Sequence, residues 1–384
     1  MTAPFKLTRV NSLKTPADFR AHCVSVGADI PLADALRTGA DSPLLRPLKG
    51  VSINGRTPGN RIAIHPMEGW DGTTTGGVTD EMRRRWRRFG ASGAKIVCGA
   101  EAMAVRADGR ANPNQLILVR ENLAGIAELV RILREEHAAR WGTADDLVIG
   151  FQLTHSGRFC RPHDKKRWEP RVAFRHPVLD SRFNVSDDAQ VLTDADVEAL
   201  IAAYVDAARL AREAGADFVD IKHCHGYLGH EFLSAVTRPG RYGGSFAHRT
   251  RFLTEIVAGI RREAPGLAIG VRLSLFDSFP FQKGADGIGI PTPWTGPYPY
   301  AFGANPANAL EMNLTEPFAF LQLLESLGIR LVCLTAGSPY YNPHLQRPAM
   351  TPPSDGYLPP EDPLAGVARQ IEAVALAKAR FPNL

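Results

Sequence analysis

The sequence lacks three features that would each point to a particular class of protein. None of its apolar runs approaches the roughly 18 residues that a membrane-spanning helix needs. The basic N-terminus, MTAPFKLTRVNSLK, has no apolar core of the kind found in signal peptides. The five cysteines are scattered without a C-x-x-C pair, which argues against a disulfide framework and against a cysteine-bound zinc or iron–sulfur cluster. The sequence therefore predicts a cytoplasmic protein that does not enter a membrane.

Charge is moderate and slightly positive. The 384 residues are 44% hydrophobic and 22% charged, as in ordinary globular proteins, and their formal net charge is +5. Much of the excess lies in RRRWRRF, residues 83–89, where Met82, Trp86 and Phe89 recur at helical spacing. A solvated outer helix face explains this pattern, and no groove-reading motif accompanies it, so we expect no nucleic-acid partner. Acidic ligands remain compatible with the charge.

From residue 61 onward, apolar runs alternate with amphipathic segments. Strands are predicted at 61–66, 94–102, 147–153, 217–222, 268–276 and 330–337. Helices are predicted around 83–89 and at 121–141, 193–214, 248–263, 316–327 and 363–381. Thr193 and Asp196 have the spacing of a capping box at the start of one of these helices. Because the strands are apolar throughout rather than alternating, they predict a parallel sheet covered by helices.

Polar residues at the strand ends favour one parallel-sheet architecture over the other. They are His65, Glu68, Glu101, Gln152, His155, residues 222–227, Arg272, Ser274 and Thr335. A (β/α)8 TIM barrel gathers the carboxyl ends of all its strands around one mouth, whereas a doubly wound open sheet concentrates ligand contacts at one switch point. No G-x-G-x-x-G motif follows the first strand. The sequence therefore predicts an α/β barrel over residues 46–384, preceded by an N-terminal extension at 1–45.

Two long inserts interrupt the alternation. Residues 158–192 are rich in arginine, proline and histidine, and residues 277–315 are rich in proline, glycine and aromatic side chains without a helical period. The second insert is too apolar for a free linker, so we expect it to pack as a lid over the mouth of the barrel.

Six motifs follow one another along the chain, each at a predicted strand end or helix start. They are NRIAIHPM, GAEAMAV, QLTHSGR, AGADFVDIKHCHGYLGHEFL, RYGGSFAHRTRF and VRLS. In this order they resemble the old yellow enzymes, FMN-dependent NAD(P)H oxidoreductases built on a (β/α)8 barrel, and the resemblance runs from about residue 44 to the end. It implies FMN as cofactor, NADH or NADPH as co-substrate, and a small-molecule substrate whose C=C bond is activated by a carbonyl or carboxyl group.

The resemblance implies a flavin site at the strand ends. Pro66 and Met67 would lie against the flavin, and Ala102 would contact its ring from the second strand. Gln152 resembles the glutamine that hydrogen-bonds the pyrimidine edge, and Arg272 resembles the arginine that faces N1 and O2. A fixed cation at that edge would favour reduced flavin, which carries negative charge near N1.

The stretch DIKHCHGYLGHEFL, residues 220–233, implies the catalytic groups. In the family's register, His225 is one of the pair that holds the substrate carbonyl oxygen, and Tyr227 is the proton donor to carbon. Lys222 replaces the imidazole usual at the other anchoring position. It would polarise a carbonyl, bind a carboxylate, or pair with Asp220 or Glu68.

Two acidic residues also depart from the family's pattern. Glu68 stands at a flavin-contacting position, near flavin O4, where cysteine or threonine is usual, and Glu231 replaces a glutamine. Because an ionised carboxylate would oppose an anionic reduced flavin, we expect Glu68 to pair with Lys222 or to turn away. Together with Arg158 and Arg161, Lys222 predicts an anionic or strongly polarised substrate.

Other functions stay open. A flavin-dependent dehydrogenase or demethylase of the same family would use the same residues, and a Schiff-base lyase would use Lys222 as nucleophile. His223, His225 and His230 include an H-x-H pair that could bind zinc, but no third ligand has a suitable spacing, so we expect no metal.

The six predicted β/α units are fewer than the eight of a complete barrel. In flavin barrels the phosphate is held by the loops after strands seven and eight, which the sequence does not supply. We therefore expect a truncated product, with completion of the barrel by a partner as the alternative. Truncation is favoured because an open barrel would expose strand edges and its apolar interior. The sequence leaves open whether the protein forms a homo-oligomer.

Overall fold

Strands and helices alternate along the chain in the computed structural model, which describes residues 7–351 and 356–384. The strands are β1 (Ala63–Ile64), β2 (Ile96–Ala104), β3 (Val148–Thr154), β4 (Phe218–His223), β5 (Ala268–Phe276), β6 (Phe281–Lys283), β7 (Gly289–Pro291), β8 (Ala304–Asn305), β9 (Asn308–Met312) and β10 (Leu331–Ala336). The helices are α1 (Pro16–Ser25), α2 (Asp80–Ala91), α3 (Leu123–Trp141), α4 (Asp194–Glu213), α5 (Leu228–Leu233), α6 (Phe246–Arg249), α7 (Arg251–Glu263), α8 (Thr315–Ser326), α9 (Pro343–Gln346) and α10 (Pro363–Arg380). None of the helices in these ranges is long and apolar enough to cross a membrane.

The main sheet has the order β1-β2-β3-β4-β5-β10 among the described residues. The pairs from β1 to β4 are parallel. The predicted α/β class with a parallel sheet is confirmed. The predicted helices are present too, and the capping box of Thr193 and Asp196 at the start of α4 is confirmed.

The first strand is shorter than the predicted 61–66. Continuous pairing is limited to Ala63 and Ile64, which lie opposite Ile96 and Val97, and Met67 makes one further isolated bridge to Glu101. The Ile62 N–H is taken by the Asn60 side chain at 3.1 Å, and Pro66 has no N–H to offer. The residues after Ile64 therefore form a loop, and that loop carries several of the predicted site residues.

A bulge in β2 sets the register of its carboxyl end. The pairing with β3 shifts between Gly99 and Ala102, so that Ala102 lies opposite Gln152. Gly99 has φ +88°, and a Cβ atom there would lie 2.7 Å from the Gln152 backbone nitrogen. Only glycine fits this bulge without moving β3.

Contacts divide the chain into two compact units, of which the larger comprises Arg37–His223 and Tyr227–Arg272. Its core packs helices on the sheet. Trp86 of α2 meets Phe151 of β3 edge-on, with ring centroids 6.2 Å apart. Aromatic side chains also connect the neighbouring helices α4 and α7. Tyr204 of α4 meets Phe252 of α7 edge-on, with ring centroids 5.5 Å apart.

The smaller unit comprises Met1–Leu36, Cys224–Gly226 and Leu273–Leu384. The insert 277–315 lies within it and contains two antiparallel pairs, β6 with β7 and β8 with β9. Asp277, at the start of the insert, accepts hydrogen bonds from Tyr341 and Asn342. Burial raises the pKa of Asp277 to about 6. These bonds tie the insert to the loop after β10, and its role as a lid stays a prediction.

The Asp217 side chain, buried just before β4, offers a test of the fold of the larger unit. It accepts hydrogen bonds from Arg134 at 2.8 Å, Arg56 at 3.2 Å and the Ile149 N–H at 2.8 Å. We expect Asp217→Asn to lower the free energy of unfolding by about 2–3 kcal/mol, because two partly buried arginine donors lose their charged, buried acceptor. Urea denaturation measures the loss.

The matched control is Asp206→Asn. Asp206 also pairs with an arginine, Arg209, at 2.6 Å, but its side chain is 57% exposed. The control should change stability by less than about 0.5 kcal/mol. Equal effects of the two substitutions would contradict a structural role for Asp217.

Candidate functional site

The loop after β1 is held by a buried carboxylate on β2. Glu101 accepts hydrogen bonds from the Gly69 N–H at 2.8 Å and from Arg85 at 2.6 Å. Arg85 also donates to Asp71 at 2.7 Å. Burial raises the pKa of Glu101 to about 7, and the charge of Arg85 opposes the rise. Glu101, a polar strand-end residue in the sequence, therefore fixes the backbone of the loop.

The Glu68 carboxylate, on this loop, accepts hydrogen bonds from three side chains. Lys222 Nζ lies 3.0 Å from Oε1, Tyr227 Oη lies 2.9 Å from Oε2, and Trp70 Nε1 lies 3.3 Å from Oε2. The side chains of Glu68 and Lys222 are each only 7% exposed. The predicted pairing of Glu68 with Lys222 is confirmed.

Lys222 and Tyr227 also contact each other directly. The ammonium nitrogen lies 3.4 Å from the centroid of the Tyr227 ring, which is cation–π geometry. Lys222 is on β4, and Tyr227 immediately precedes α5. The structure therefore brings two of the three predicted catalytic residues together around Glu68.

A second cluster of polar side chains lies along β3, β4 and β5. Gln152 Nε2 donates to Asp220 at 2.6 Å, and both side chains are buried. Arg272 Nη1 donates to the carbonyl of Pro66 at 3.4 Å. Burial raises the pKa of Asp220 to about 6, against the bond from Gln152 and the charges of Arg272 and Lys222.

The sequence pattern predicts Asp220 only as a possible partner for Lys222. In the structure Lys222 instead pairs with Glu68, and Asp220 accepts a hydrogen bond from Gln152. The register of β3 against β4, which places Gln152 opposite Asp220, accounts for this choice. The alternation of Asp220 and Lys222 on one face of a strand is the sequence signal that marks Asp220 as a site residue.

The apolar residues predicted to contact the cofactor differ in exposure. Pro66 and Ala102 are buried, whereas the Met67 side chain is 69% exposed. The Ala102 N–H donates to the Met67 carbonyl at 3.2 Å, which joins the loop to β2.

His225 belongs to the smaller unit and has φ +64°. Its N–H donates to Ser274 Oγ at 2.9 Å, and its Nε2 lies 3.3 Å from Thr335 Oγ1. Three polar strand-end residues predicted from sequence therefore meet there. The role of His225 as a substrate anchor stays a prediction.

Arg158, expected beside Lys222 at an anionic substrate, is used elsewhere. It is buried and pairs with Glu231 and Asp180, so its charge is already neutralised. The ion pair with Arg158 accounts for the acidic residue at Glu231, where the family usually has glutamine. Glu231 lies in α5, the helix that begins directly after Tyr227. Arg158 therefore links the insert 158–192 to that helix.

Arg161 makes a different kind of contact. Its guanidinium lies 4.4 Å from the centroid of a Trp168 ring and 5.4 Å from that of a Trp70 ring. Its N–H groups donate to backbone carbonyls of Ala111 and Lys165. Arg161 therefore supports Trp70, whose indole N–H reaches Glu68.

The histidines of the zinc alternative are buried. Burial lowers the pKa of His223 to about 4 and that of His230 to about 3. Within residues 7–351 and 356–384, no three histidine, cysteine or acidic side chains are grouped so as to hold a metal ion.

Comparison with known proteins gives a family match and several relatives. The model of the NADH:flavin oxidoreductase / NADH oxidase family matches residues 45–288. An NADPH dehydrogenase of Geobacillus sp. (strain WCH70) is 34% identical over 242 residues, which is 60% of this chain and 63% of that protein. An NADPH dehydrogenase of Bacillus subtilis (strain 168) is 31% identical over 237 residues, 59% of this chain and 63% of that protein. The chain thus spans less than two thirds of the length of these relatives.

Solved structures support the same fold. An Old Yellow Enzyme from Pichia sp. AKU4542 superposes with a TM-score of 0.55 at 20% identity, covering 78% of this chain and 72% of that one. A 2-naphthoyl-CoA reductase in complex with 2-naphthoyl-CoA superposes with a TM-score of 0.57 at 21% identity, covering 77% of this chain and 41% of that one. At these identities the likeness concerns the fold.

A double-mutant cycle tests the coupling of Lys222 to Glu68. We expect Lys222→Met and Glu68→Gln each to lower the free energy of unfolding by about 1–3 kcal/mol, because each leaves a buried charge without its partner. The double variant should lose clearly less than the sum of the two. Urea unfolding of all four proteins gives the coupling energy, and strict additivity would mean that the pair is not coupled.

Proposed function

This chain belongs to the NADH:flavin oxidoreductase / NADH oxidase family, and on that premise we propose that the protein is an FMN-dependent oxidoreductase. It uses NADH or NADPH to reduce a C=C bond activated by a carbonyl or carboxyl group. The parallel sheet, in this proposal, is part of a (β/α)8 barrel with its site at the carboxyl ends of the strands. The observation that carries the proposal is the arrangement of Gln152 and Arg272 on the strands flanking β4, with Tyr227 following β4.

The residues present fit one edge of a flavin. A pyrimidine edge needs amide hydrogen bonds and a cation near N1, and Gln152 and Arg272 supply these groups. The bond from Gln152 Nε2 to Asp220 fixes which end of the amide is presented. The exposed Met67 supplies apolar surface for a planar ring.

FMN, when bound, would take up a hydride from NAD(P)H and deliver it to the substrate carbon. Tyr227 holds its proton at Oη and gives it to the neighbouring carbon of the substrate. Lys222 provides positive charge for a developing oxyanion on the substrate. Glu68 neutralises Lys222 in the absence of substrate, so that no unpaired charge is buried beside the cofactor.

One contact supports a second candidate, a dehydrogenase of the same family. The Tyr227 hydroxyl donates to a carboxylate, and a carboxylate is a proton acceptor. In the oxidative direction Tyr227 would take a proton from the substrate and pass its own to Glu68. The Schiff-base alternative is not favoured, since an ammonium bonded to Glu68 has no lone pair with which to attack a carbonyl.

The purified protein should bind FMN and be bleached by NADH or NADPH under anaerobic conditions. We expect Arg272→Met to weaken FMN binding by about tenfold or more, because a charged hydrogen-bond donor at the flavin edge is lost. Quenching of FMN fluorescence measures the affinity. Arg209→Met, on the exposed face of α4, is the control and should bind FMN normally. A protein that neither binds FMN nor responds to either nicotinamide would rule out the proposed function.

Tyr227→Phe should separate the two half-reactions. We expect it to slow reduction of the alkene by about 10²–10⁴-fold, the usual effect of losing a positioned proton donor. Reduction of the flavin by nicotinamide should change little and serves as the internal control. Stopped-flow absorbance follows both steps, and equal slowing of both would show that Tyr227 has a structural role.

A further inference from the structure

The groups around the Glu68 carboxylate form a set of hydrogen-bond donors from three segments of the larger unit. They are an ammonium from β4, a phenol that precedes α5 and an indole N–H from the loop after β1. An ammonium and an indole N–H can only donate, and the phenol donates here too. Such a set is suited to one ligand chemistry, a carboxylate with both oxygens engaged.

We propose that Lys222 and Trp70, with the Tyr227 hydroxyl beside them, form a carboxylate receptor for the substrate, and that Glu68 is its internal occupant. This inference rests on the proposed function for the reaction itself. It adds that the substrate carries a carboxylate. The substrate carboxylate displaces the Glu68 side chain and takes over the hydrogen bonds from Lys222 and Trp70, while the Tyr227 hydroxyl, released from Glu68, keeps its proton for the substrate carbon.

The members of the receptor have contacts other than those to Glu68, since Lys222 and Tyr227 also contact each other in cation–π geometry. Trp70 stacks with Arg161 at 5.4 Å and keeps φ +53°, a conformation that costs a bulky residue about 1–2 kcal/mol. The bond from Gly69 to Glu101 fixes the adjoining backbone. Strain retained at a functional position is a sign that the side-chain placement is needed.

Displacement requires the Glu68 side chain to leave the receptor. Trp70, on the same loop, is 40% exposed, and the exchange places the displaced carboxylate in the water on that side of the loop. Exchange of one carboxylate for another keeps the buried lysine neutralised. A neutral ligand would instead leave Lys222 without a counter-charge once Glu68 departs, and that is unfavourable. The exchange therefore selects for anions.

The test removes the internal occupant and supplies a small carboxylate. Glu68→Ala should gain affinity for acetate, seen as a melting temperature that rises with acetate concentration. Acetamide, the neutral analogue, and chloride at equal ionic strength are the ligand controls. Wild-type protein, in which Glu68 fills the receptor, should respond much less.

The matched variant is Glu68→Ala with Lys222→Met. It should bind acetate about 10–100-fold more weakly than Glu68→Ala, because the charged donor is gone. An acetate response of Glu68→Ala no larger than that to chloride, or equal in the double variant, would overturn the receptor. If Glu68→Ala does not fold alone, the yield of refolding against acetate and acetamide gives the same comparison, and a yield independent of acetate also overturns it.

The acetate experiment does not depend on redox turnover. Loss of FMN binding or of nicotinamide oxidation would therefore defeat the proposed function without touching the receptor. Conversely, normal flavin reduction with no acetate response would leave the oxidoreductase and remove the receptor.

Discussion

A buried positive charge at the end of a parallel strand is the constraint on which this site depends. Lys222 is almost fully withdrawn from water, and a buried ammonium is tolerable only beside an anion. Glu68 supplies that anion from a loop 154 residues away in sequence. The loop itself is held by the buried Glu101 of β2 and its partner Arg85 of α2, so the stability of the pair depends on a second charge cluster. Neutralisation of charge thus links the loop after β1 to the end of β4.

The same constraint shapes the chemistry that the proposed enzyme could perform. A carboxylate beside a reduced flavin would be repelled if it were unpaired, and the ion pair removes that difficulty. The Tyr227 hydroxyl donates to Glu68, so in the proposed reaction its proton would be held at a defined place before substrate binds. In the proposed receptor, the paired lysine would discriminate among substrates, since only a ligand that replaces the lost negative charge can displace Glu68 without penalty.

The arginines of the long insert have mainly structural uses. Arg158 joins the insert to α5 through Glu231, while Arg161 supports Trp70 by stacking. Departures from a family's usual residues can therefore have opposite meanings. Glu231 and Arg158 compensate each other as a structural pair, whereas Glu68 and Lys222 compensate each other within the candidate site.

The sequence by itself determined the α/β class, the order of strands and helices, and the strand ends at which functional residues lie, because these follow from local hydrophobic pattern and capping signals. It also predicted that Glu68 either pairs with Lys222 or turns away, because an unpaired carboxylate at that position is electrostatically unfavourable. Only the tertiary structure decided which partner each group received. Asp220 bonds Gln152 through strand register, Arg158 is taken by Glu231 and Asp180, and Trp70 joins the site through a left-handed backbone conformation. Such choices depend on distances between segments far apart in the chain, and local sequence pattern carries no information about them.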